Sequence, residues 1–237
     1  CCGACVWQSP TAGQSSLTSA VTDASAAVAG RSRPLLLFPC NGNAVEALDG
    51  LGEAWHCIGL VDDTPQKQAS GFMGVSVYGR AAFEHAPDAA VLAVPGGPAS
   101  FRTRRQVIES LGIAEQRFAT VIHPSASVSR NARIGRNVLI MAGVVITSNA
   151  VIGDHVCILP NSVVHHDSVV GAWSLIGSNV TIAGAVQIGE NCYVGSGSTT
   201  KNSLSLGAGC LIGLGSNVIS DVLPMATVVG NPARLLR

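Results

Sequence analysis

Charge is scarce in this 237-residue sequence: Asp, Glu, Lys and Arg make up 12% of it, and 14 basic residues cancel 14 acidic ones. Without a concentrated Lys/Arg run there is no electrostatic footprint for nucleic acid and no polybasic patch for a membrane surface, so neither is expected as a partner. Long apolar runs are missing too. Even the stretch 137–160 is broken by Asn, Ser and Asp every few positions, which sets a spanning helix aside. The eight cysteines, at 1, 2, 5, 40, 57, 157, 192 and 210, have no histidine at zinc-finger spacing. No metal is expected, and reduced thiols in a cytoplasmic protein fit best. What is abundant is hydrophobic surface, 47% of residues. So weakly charged a surface needs cover from a ligand or from partner subunits, so an oligomer is expected.

The chain divides by pattern. Residues 1–33 are rich in Ser, Thr, Ala and Gly with almost no large apolar side chains. They cannot bury enough surface to offset their ordering entropy, which predicts a disordered tail. From Pro34 the pattern changes to LLLF (35–38), the turn Asn41-Gly42-Asn43, a helix over 44–52, and a second strand over 54–61 ending in Asp62-Asp63. VLAV (91–94), Pro95-Gly96-Gly97 and a helix through 101–111 repeat the order. This alternation predicts a small Rossmann-like parallel α/β domain over 34–120. In such domains the first turn binds nucleotide phosphates and an acid after the second strand meets a ribose. Asn41, Gly42, Asn43, Asp62 and Asp63 hold those positions, with a solvated turn as the other reading of the Asp pair.

After about residue 120 the helical signal gives way to a period of six. Stepping by six from Val128 to Val218 meets sixteen residues, of which fifteen are aliphatic; the other is Thr200. Two residues before each stands a small or short side chain, from Ala126 to Ser216, with Leu204 the exception. Residues two apart on a strand face the same side, so both series point inward. The residue after the aliphatic one is Gly in eight of sixteen units, which suits a tight corner. Within this ladder lies VVHHDSVVG (163–171). Val164 is an inward residue, so His165, His166 and Asp167 fall on the corner after it, outside the core. They make either a solvated polar corner or, in a cleft between subunits, a histidine able to take a proton.

The hexapeptide ladder, IHPSA (122–126), the His-Asp corner and GNPAR (230–234) together resemble the nucleotide-sugar acyltransferases of the hexapeptide-repeat family. That group is typified by the bacillosamine and perosamine N-acetyltransferases and the sialic acid O-acetyltransferases, and the resemblance covers about 34–237. It implies a left-handed parallel β-helix over 121–237, with three hexapeptides in each triangular coil. The left hand comes from the resemblance alone, since parallel crossovers are otherwise right-handed. Three sixes make a coil of 18, so Cys192 and Cys210 become stacked core neighbours and Gly184 falls one coil beyond His166 on the same corner.

By the same resemblance His166 is the general base and Asp167 orients it. Gly184, within IAGAV (182–186), offers a backbone N–H to the acyl carbonyl. Gly195 in YVGSG, Gly213 in LIGLG, and Asn231 and Pro232 in GNPAR form the acetyl-CoA contacts, with Arg234 meeting a phosphate. The implied assembly is a homotrimer. The implied reaction is acetyl transfer from acetyl-CoA to the amino group of a nucleotide-linked amino sugar, without a metal. Sugar O-acetylation and a degenerate nucleotide-sugar-binding scaffold are the alternatives. Three positions depart from the family: Asn43 stands where a histidine is usual, Leu159-Pro160 replaces an Asn-Thr pair, and Leu175 replaces a second histidine. These are polar groups of the acceptor pocket, where specificity is set.

Overall fold

A computed structural model of the chain describes residues 32–236. The predicted tail over 1–33 therefore lies outside the described residues except for its last two, and Arg33 already opens the first strand.

Four parallel strands form the first layer: β1 (Arg33–Phe38), β2 (Trp55–Val61), β3 (Val77–Tyr78) and β4 (Ala90–Ala93), in the order β3-β2-β1-β4. Leu35, Leu36 and Leu37 are fully buried, because β1 is central and covered on both faces; an uninterrupted apolar run is what such a strand requires. Helix α1 (Gly42–Asp49) starts at Asn41, whose side chain accepts the Ala44 N–H as an N-cap. Short helices α2 (Pro65–Ser70) and α3 (Ala82–His85) and strand β3 lie in a region where the sequence carries no clear period. The helix expected over 101–111 is instead a 3₁₀ turn (Phe101–Thr103) followed by α4 (Arg104–Glu109).

From Val121 onward the chain winds into a triangular prism of two-residue strands, with one of three residues at Thr227–Val229. Its faces are sheets of eight, six and five strands. Registers such as Cys157↔Leu175, Val163↔Thr181 and Val169↔Gln187 stack residues 18 apart in parallel. The aliphatic ladder fills the interior, with Ile140 through Ile182 essentially inaccessible. Where the short inward residue is serine, its hydroxyl finds a partner: Ser162 donates to Gly177, Ser168 to Ala183, Ser174 to Gly189 and Ser198 to Gly213, while Ser216 accepts the Gly230 N–H. Cys192 and Cys210 do stack in this core, with their sulfurs 3.6 Å apart.

One expectation about the corners is corrected. The glycine following each aliphatic residue does not make the left-handed turn. That conformation belongs to the residue three after the aliphatic one, often Asn: Asn137, Asn149, Asn161, Asn179 and Asn191 all have φ between 53° and 62°. Asn tolerates that region better than most side chains. The glycines meet another need, because a Cβ on Gly195 would lie 2.7 Å from the Leu214 backbone nitrogen of the next coil. They let successive coils close up.

The sheet of β1–β4 and its helices pack on the eight-stranded face. Leu139, Cys157 and Leu175 point outward from that face yet join one buried cluster with Leu35, Leu37, Leu92 and Phe101. Polar ties fix the contact. Asn137 pairs with the Ala93 backbone in both directions, at 2.7 and 2.8 Å. Arg104, fully buried, donates to the carbonyls of Pro95 and His155. Among the described residues no carboxylate pairs with it, and burial lowers its pKa to about 10.

Candidate functional site

Val163–Val164 is a strand of the six-stranded face, and the chain leaves it at the corner that carries His165, His166 and Asp167. Asp167 takes the left-handed conformation, φ 60°. Sequence neighbours on a regular strand point to opposite faces, so this corner is what turns the two side chains together. His166 Nδ1 lies 2.8 Å from Asp167 Oδ2. The second carboxylate oxygen accepts from Asn149, one coil earlier, at 3.0 Å. The His166 and Asn149 hydrogen bonds hold the Asp167 carboxyl below its ordinary pKa. Both members of the pair are more than half exposed. Gly184 sits one coil on, and a Cβ there would come within 2.7 Å of His166 Nε2. The pair therefore presents Nε2 over a stretch of bare backbone.

This arrangement can take a proton from a nucleophile: a carboxylate receives Nδ1–H, which fixes the tautomer and leaves the Nε2 lone pair outward. His165 lies next to the pair, its backbone bonded to Ile182. His155, on another corner, is unlike either. It stacks on Trp173 with centroids 3.8 Å apart, bonds to Asn137, and is depressed to about pKa 4, mainly by burial. It belongs to the packing between the two layers. Among the described residues no group of three or more His, Cys, Asp or Glu is arranged to hold a metal ion.

The other singled-out residues lie elsewhere. Gly195 and Gly213 line up on the corner followed by Leu214, each pressed against the next coil. Asn231 meets Asn217 at the last coil, 3.4 Å apart, and Pro232 follows it. Beside them an open cavity of about 520 Å³ is lined by Val218, Leu223, Asp221 and Arg234 among others. In the first layer Asn41 is occupied as helix cap and by a bond to the Val94 carbonyl, while Gly42 faces open space. Asp62 is buried: it accepts from the Cys40 and Thr64 N–H groups and pairs with Lys67 at 2.8 Å. Burial opposes its charge, but the Lys67 and Thr64 donors still leave its pKa lowered. It braces the first turn from behind. Asp63 is exposed and paired with Arg80. Of the three departing positions, Leu175 lies beneath the first layer, and Pro160 lines a cavity of about 210 Å³ with Glu46, Asp49 and His123. Asn149, Asn137 and Arg104 escaped the sequence reading. The signal for the asparagines is their recurrence three residues after an aliphatic; nothing marked Arg104.

A family model described as the GMPPB C-terminal domain matches residues 117–220. The UDP-N-acetylbacillosamine N-acetyltransferase of Bacillus subtilis is 51% identical over 39 residues, a match spanning 16% of this chain and only 18% of that relative. Two solved structures cover far more. A perosamine N-acetyltransferase variant from Caulobacter crescentus, in complex with CoA and GDP-perosamine, aligns with TM-score 0.75 at 25% identity over 89% of this chain and 98% of that one. The acetyltransferase domain of PglB from Neisseria gonorrhoeae, in complex with acetyl coenzyme A, aligns with TM-score 0.76 at 26% identity over 87% and 100%.

Proposed function

We propose that the chain is a hexapeptide-repeat acyltransferase, its prism a left-handed β-helix, and that it transfers an acetyl group from acetyl-CoA to the amino group of a nucleotide-linked amino sugar. The observation that carries this reading is the 2.8 Å His166–Asp167 pair with Nε2 turned over Gly184. In it, His166 Nε2 takes the proton of the amine as its nitrogen attacks the thioester carbonyl. Asp167 holds the imidazolium that forms. The Gly184 N–H faces the developing oxyanion. Collapse breaks the carbon–sulfur bond, and the CoA thiolate leaves with the proton that His166 carried.

The pantetheine arm runs along the prism past Gly195 and Gly213, toward Asn231, Pro232 and Arg234. The first layer is a Rossmann-like nucleotide-binding domain, with Asn41, Gly42 and Asn43 at the start of α1 nearest the phosphates. Asp62 supports that turn and Asp63 stands at its rim. This domain covers the eight-stranded face, whereas His166 lies on the corner opposite that face. An acceptor held by the domain therefore meets a His166 of another copy, which favours a homotrimer with its sites between subunits. The bound GDP-perosamine of the Caulobacter relative supports an amino-sugar acceptor.

The test is release of CoA thiol from acetyl-CoA with UDP-, GDP- and dTDP-linked 3- and 4-amino sugars. Turnover with an amino sugar, falling about 10²–10⁴-fold in His166→Ala, is expected for loss of a general base. An undiminished rate in that variant, or no turnover with any amino sugar, would overturn the reading.

A further inference from the structure

We propose that Asn149 is a positioning residue that sets the Asp167 carboxylate for its partnership with His166; this rests on the acetyl-transfer reading above. Asn149 and Asp167 are 18 residues apart and both take the left-handed conformation, φ 62° and 60°. They stack one above the other on the corner. The Asn149 amide donates to Oδ1 at 3.0 Å while Oδ2 meets His166 Nδ1 at 2.8 Å. A carboxylate with two oxygens tied by two directed donors cannot rotate about its terminal bond without losing one of them. That matters here because Asp167 is half exposed. Burial does nothing to hold it, so a second donor must.

The arrangement has the form of a relay across two coils: amide, carboxylate, imidazole, then the outward Nε2. Gln187 adds a long contact, 3.5 Å, to the Asp167 carbonyl and not to its side chain. The other titratable or charged groups along this corner are His165 beside the pair, Arg130 two coils before His166, Lys201 two coils after His165, and Asp221 near its far end, which accepts the Ser205 N–H. None is recorded within bonding distance of the Asp167 side chain. Asn149 is thus its one partner from a neighbouring coil among the described residues. Its hydrogen bond also helps keep that carboxyl ionised.

The position invites a clean variant. At φ 62° glycine is at ease, so Asn149→Gly removes the amide while leaving the backbone as it is. Three readouts follow: the titration of the Asp167 carboxyl by ¹³C NMR, kcat and KM for acetyl transfer, and the same kinetics in an Asp167→Ala background. The expected result is an upward move of the Asp167 titration, kcat lower by about 3–10-fold at unchanged KM, and no further loss when Asp167 is already absent. An unmoved carboxyl titration overturns the proposal. So does an unchanged kcat, or a full extra loss in the Asp167→Ala background. A wild-type protein with no acetyl transfer would overturn the functional reading instead, and the carboxyl titration would still decide whether Asn149 governs Asp167.

Discussion

The eight-stranded face and the His166 corner are made by the same repeat, share one interior ladder, and differ in everything that points outward. On the face, Leu139, Cys157 and Leu175 are sealed beneath another layer, with Arg104 and Asn137 pinned among them. At the corner, the side chains of His166, Asp167 and Asn149 bond to one another and stand in solvent. A repeat that spends its inward positions on cohesion leaves the outward ones free to diverge. Burial governs the first region and hydrogen-bond geometry the second.

That contrast can be broken at its strongest point. Arg104→Ala would leave a hole and two unpaired carbonyls, those of Pro95 and His155. A loss of about 3–5 kcal/mol in denaturant unfolding is expected, from lost packing and unsatisfied acceptors together. A loss under about 1 kcal/mol would mean the two layers are not held by this anchor.

The ladder and its interior were legible because a period of six written in aliphatic residues has no competing reading. The His-Asp pair could be put on a corner, but its contact could not be derived, since it depends on the left-handed turn at Asp167. The corner rule differs from the expectation: the left-handed turn falls three residues after the aliphatic position, most often at Asn or Gly, and not at the glycine that directly follows it. In the first layer, β1 and β4 announced themselves as apolar runs, whereas α2, β3 and α3 are two to six residues long and are shaped by packing. Arg104 was invisible for a simpler reason. A charged residue on a short helix reads as surface until another layer covers it.

A paired substitution sharpens the comparison. Leu175→Ser, on the covered face, is expected to cost about 2–4 kcal/mol. Val169→Ser, at the matching outward position of the five-stranded face, should cost well below that, since Val169 is only partly buried. Equal losses, read from urea midpoints, would show that a partner covers both faces to the same degree.

The smallest effect concerns pH. His155 is held near pKa 4 in the folded protein against an ordinary 6.5, chiefly by burial. The unfolded chain takes up a proton below 6.5 that the folded chain refuses until about 4. Stability is therefore complete above 6.5 and declines as pH falls through that window. Between pH 7 and 5 the decline should be about 2 kcal/mol, and His155→Phe should flatten it. A wild-type stability that holds level over that range would remove His155 from the buried side of the comparison.

Stacking at intervals of 18 makes position on this molecule a matter of remainders. A deletion of six residues between Asn149 and Val163 would keep every aliphatic residue pointing inward, so the prism would still close. The histidine pair would nevertheless come out on a different edge, away from its asparagine and its route for substrate. Only whole turns can be added or lost without moving it. For a lineage that lengthens or shortens such a prism, folding tolerates change in sixes, and chemistry counts in eighteens.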